Sequence, residues 1–84
     1  MKDYMAEFNE DMLLADGFDD ALVGIVERAN LPTIACYNKY KCIEILTKDM
    51  NWFEAEEYFY YNVVGSYVGE NTPCFLTIIN GGIK

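Results

Sequence analysis

Residues 21–38 read ALVGIVERANLPTIACYN, two β-rich apolar runs around a short break. Ala21–Val26 is apolar on both faces and bounded by charge, which predicts a central strand. Ala29-Asn-Leu-Pro32 predicts a turn. Thr33–Tyr37 predicts a second strand, and the short connection predicts an antiparallel hairpin with the first.

Outward from the hairpin the period changes. Asn38 can cap a helix in which Tyr40, Ile43, Leu46 and Met50 share one face. Lys41, Glu44 and Lys48 point to water, with Glu44 and Lys48 spaced i, i+4. Asn51 and Glu54 have the spacing of a capping box. They open a helix to about Val68, with a buried stripe of Trp52, Ala55, Phe59, Val63 and Tyr67 and Gly69 as its C′ residue. After Pro73, Cys74–Ile79 predicts a last strand. Upstream, Met5, Phe8 and Met12 predict an amphipathic helix over residues 4–14 that ends near Gly17. The expected order is α-β-β-α-α-β. That is an α+β fold with a three-stranded sheet, helices mainly on one face, and sheet edges open to another chain. All 84 residues form one domain, with an acidic N-terminal helix in 1–15 and a loose tail at 80–84.

Seven of the fourteen acids lie in residues 1–20 against one base, Lys2, so most of the net charge of −8 is N-terminal. Such a chain is repelled by nucleic acid and anionic membrane and drawn to basic surfaces. The charge also keeps a small apolar-rich domain dispersed. Cys36, Cys42 and Cys74 are odd in number and lack C-x-x-C spacing, which predicts free buried thiols and neither a disulfide framework nor a zinc site. The polar N-terminus is unlike a signal peptide, and no apolar run has the length of a membrane span.

The chain has no histidine, which removes the usual general base and the commonest metal ligand. No Gly-rich phosphate loop is present. Asp16, Asp19 and Asp20 cluster before the first strand, but without the alternating spacing of a calcium loop, and read as a solvated acidic turn. Catalysis, a cofactor and a metal are therefore not expected. Two sets of binding residues are. Glu7, Glu10, Asp11, Asp16, Asp19 and Asp20 offer charge to a basic partner. Tyr60 and Tyr61 lie off the buried stripe and leave aromatic surface for an interface or a homo-oligomer. Arg28, Lys39 and Lys41 offer the alternative of a phosphate or nucleotide site.

Asp16-Gly-Phe-Asp-Asp-Ala21, Lys41-Cys-Ile-Glu-Ile-Leu46, Glu57-Tyr-Phe59, Asn62-Val63, Tyr67-Val-Gly-Glu70 and Thr72-Pro73 form a distinctive string. It resembles a family of small uncharacterised proteins encoded by tailed bacteriophages, over roughly residues 16–75. Where that family opens a helix with Ser or Thr before a Glu pair, this chain has Asn51-Trp-Phe-Glu54, an equivalent cap. The string names no chemistry. The resemblance implies a phage accessory protein in the host cell cytoplasm that acts by binding a host bacterial protein. One form is a DNA mimic that inhibits a defence or nucleic-acid-binding protein, as anti-CRISPR proteins do. A sponge for a nucleotide immune signal and a minor virion protein are the alternatives it leaves.

Overall fold

Four consecutive residues, Ile34, Ala35, Cys36 and Tyr37, are buried. Neighbours along a strand face opposite ways, so only a strand covered on both faces can bury such a run. That strand is β2 (Leu31–Asn38), flanked by β1 (Leu22–Arg28) and β3 (Cys74–Leu76) in the order β1-β2-β3. The computed structural model describes residues 5–79. Between β2 and β3 the chain forms α1 (Lys39–Leu46), α2 (Trp52–Tyr58) and a π-helical segment, Phe59–Val64. The fold is α+β with a mixed sheet. β1 pairs antiparallel with β2, and β3 pairs parallel with it.

The hairpin turns on Ala29 and Asn30, enclosed by the pair Arg28–Leu31. Asn30 has φ 61°, a left-handed conformation that Asn tolerates better than most residues. Leu31 and Pro32, expected in the turn, belong to β2. The Arg28 guanidinium closes this end by donating to the Pro32 carbonyl (2.6 and 3.2 Å) and the Glu70 carbonyl (2.8 Å).

β1 is an edge strand and not the central one. Its apolar residues are mostly half-buried, with Val23 exposed. β3 pairs with the far side of β2 and not with the open side of β1, which leaves β1 at the edge. Register irregularities at Leu22/Gly24 and Val26/Arg28 interrupt β1, as edges commonly require.

On the Ala35/Tyr37 face of the sheet, α1 contributes Cys42 and Ile43 to the core, and α2 with the π-helical segment contributes Ala55 and Phe59. Phe75 of β3 meets the Phe59 ring edge-on at 5.2 Å and the Tyr37 ring at 6.0 Å.

The expected first helix is largely absent. Met5 and Ala6 form a helical turn, and residues 12–15 have no regular structure. A 3-10 turn at Asp19–Ala21 leads into β1. The backbone is bonded outward instead. Asn9 donates from Nδ2 to the Thr33 carbonyl (2.9 Å) and to Asn71 Oδ1 (2.8 Å), and its Oδ1 accepts from the Asp11 N–H. The Leu13 N–H goes to the Asn71 carbonyl (3.2 Å) and the Ala15 N–H to the Tyr37 hydroxyl (2.8 Å). Tertiary partners satisfy groups a helix would have paired internally. Lys2, Asp3, the start of that helix at Tyr4, and the tail 80–84 lie outside the described residues.

The long second helix is also corrected. It leaves α geometry at Phe59 and ends at Gly65, so Gly69 is not its C′ residue. Gly69 (φ 119°) stands instead in the turn before β3. Tyr67, expected in the buried stripe, is 70% exposed. The last strand stops at Leu76, short of the expected Ile79.

Candidate functional site

Each helix starts on an asparagine cap. The Asn38 side chain accepts from the Lys41 N–H (3.1 Å). Asn51 accepts from the Glu54 N–H (2.9 Å), while Glu54 Oε1 accepts from the Asn51 N–H (3.1 Å), a complete capping box. These caps fix the first turns of α1 and α2, where Tyr40 and Trp52 stand. Their rings lie 4.8 Å apart, tilted by 44°, an attractive geometry for aromatic pairs.

The pair lines a groove of about 490 Å³ together with Ile43, Ile78, Lys39 and Glu56. Tyr40 is 63% exposed, Trp52 39% and Phe53 68%. Helical periodicity predicted Tyr40 and Trp52 for the buried stripes. Both sit at helix starts, beyond the reach of the core, while Ile43 and Ala55 one turn later are buried. The signal available in sequence was their position beside the caps.

Tyr60 and Tyr61 are exposed, but they serve different surfaces. Lys39 Nζ donates to the Tyr60 hydroxyl (2.9 Å) and lies 5.5 Å from its ring centroid. Tyr61 is 81% exposed and lines a depression with Tyr58, Asp49, Glu54 and Glu57. That depression shares Tyr58 and Asn62 with a cleft of about 530 Å³ between the N-terminal segment and the π-helical segment.

Asp16 lines this cleft, which places it near the Tyr58 side of the helices. Glu7, Glu10, Asp11, Asp19 and Asp20 are exposed, on a segment that is not the single helix face expected for them. The three cations considered for a phosphate are not gathered. Arg28 caps the hairpin turn, Lys39 holds Tyr60, and Lys41 pairs with Glu44 at 3.2 Å. Among the described residues, no group of three His, Cys, Asp or Glu is placed to hold a metal ion, and no helix is long and apolar enough to cross a membrane.

Comparison of the chain with protein-family models, with curated proteins and with solved structures finds no match.

Proposed function

We propose that this chain acts by non-catalytic binding to another protein, with Tyr40 and Trp52 as anchors. The observation that carries the reading is the aromatic groove. Ala55 and Phe59 already fill the core on the inner side of α2, yet two large aromatic residues, Tyr40 and Trp52, remain exposed around one concavity. Trp and Tyr in pockets are the residues that most often dominate binding energy. A net charge of −8 selects a basic partner and speeds its approach. A nucleic-acid-binding protein of a bacterial host fits that charge and the resemblance to phage proteins. Inhibition of that partner is the proposed outcome.

The test uses the tagged chain as bait in bacterial lysate, with native mass spectrometry of the complex. The expected result is a stoichiometric basic host protein whose affinity falls with salt. The double variant Tyr40→Ala/Trp52→Ala should bind about tenfold weaker or worse at unchanged thermal stability. Equal affinity would remove these anchors. A homo-oligomer that itself buries the groove would replace the host partner with a second copy of the chain.

A further inference from the structure

We propose that Cys36 and Cys74 are a thiol pair that low-molecular-weight disulfides convert to an intramolecular disulfide, tying β3 to the central strand. The two residues are direct register partners in the parallel pair β2–β3. Neighbouring strands lie about 4.8 Å apart, inside the Cα separation of about 4.4–6.8 Å that a disulfide spans. Register partners present their side chains to the same face, which sets the Cys36 and Cys74 thiols side by side on it. Cys42 belongs to the core cluster on the other face of the sheet and serves as an internal control.

Cys74 is half-buried whereas Cys36 is buried, so an external disulfide meets Cys74 first. The Cys74 thiolate attacks one sulfur of the small disulfide and expels a small thiolate, leaving a mixed disulfide. Cys36 then loses its proton to water and attacks Cys74 Sγ, expelling the second small thiol. Two protein thiols lose two hydrogens, and one small disulfide becomes two small thiols. Burial, with the Cys74 thiol beside it, pushes Cys36 up to about 11, so the closing step quickens as pH rises toward that value. β3 has three residues and runs directly into Thr77 and Ile78, which line the aromatic groove. The bond therefore stiffens one side of that groove, although its formation does not depend on the binding reading.

The experiment treats the folded chain with oxidised glutathione at mildly alkaline pH and follows the intact mass, then maps unreduced peptides. The expected product is a monomer lacking two hydrogens, with the Cys36 and Cys74 peptides linked and Cys42 still alkylatable after unfolding. Its melting temperature should exceed that of the reduced protein and return on reduction. Cys42→Ser should react as the native chain does, and Cys74→Ser should not form the link. An unchanged mass, a lasting glutathione adduct, a link to Cys42 or an intermolecular dimer would each overturn the proposal.

Discussion

Gly65 ends the π-helical segment because nothing larger fits there. Its N–H reaches the Tyr60 carbonyl, five residues back, at 3.1 Å. A Cβ on it would stand 2.7 Å from the Tyr61 carbonyl oxygen, and backbone cannot swing aside as the tip of a side chain does. Gly65→Ala should cost about 1–3 kcal/mol, as overpacking does, read as a lower urea midpoint at unchanged slope. A native midpoint would show that the segment accepts a side chain. The buried thiols set a pH limit. Burial, with the neighbouring Cys74, pushes Cys36 up to about 11, and burial pushes Cys42 to about 11 as well, from an ordinary 9.0. The unfolded chain releases these protons near pH 9.0, whereas the folded chain keeps them. The stability they confer is fully present below about pH 9 and is lost as pH rises toward about 11. Urea midpoints at about pH 8 and about pH 10 should differ in that direction, by less in Cys42→Ser. No reduction in the slope of that variant would contradict the role given to Cys42.

Among the elements, α2 is the one whose start was most legible. Asn51 and Glu54 have the spacing of a capping box, and both of its hydrogen bonds are made. Asn51→Ala should cost about 1 kcal/mol, while Asn51→Ser should stay near native; equal losses in the two would rule out the cap as the cause. The end of the same helix was not legible, because periodicity carries no sign of the change to π geometry at Phe59. At the N-terminus, Met5, Phe8 and Met12 have helical spacing, yet Asn9 is held by Thr33 and Asn71. A local preference worth a few tenths of a kcal/mol per residue yields to tertiary hydrogen bonds. Tyr40 and Trp52 show the same limit at the candidate site. A helical wheel assigns a face but not whether the core extends that far along the helix.

At the scale of the molecule, charge opposes compactness. Fourteen acids face six bases, and the Lys41–Glu44 pair is exposed, so it contributes little. Salt should therefore stabilise the chain. Raising sodium chloride from about 0.01 M to about 0.1 M shortens the screening length from about 30 Å to about 10 Å. The melting temperature should rise over that range. A fall would mean that attractive pairs outweigh the repulsion among the acids.

The α+β class, the hairpin, both asparagine caps, the apolar content of the core and the acidic balance were properties of the sequence by itself, because each depends on residues close together in the chain or on composition alone. Tertiary structure decided the rest. β3 lies beside β2, and that placement makes β2 central and β1 an edge. The same placement sets Cys36 opposite Cys74, although 37 positions separate them in the chain (74 less 36, less one). Tyr40 and Trp52 face each other only once α1 and α2 have packed. Such pairings join residues that are distant in sequence, and their energies come from contacts that local periodicity does not encode.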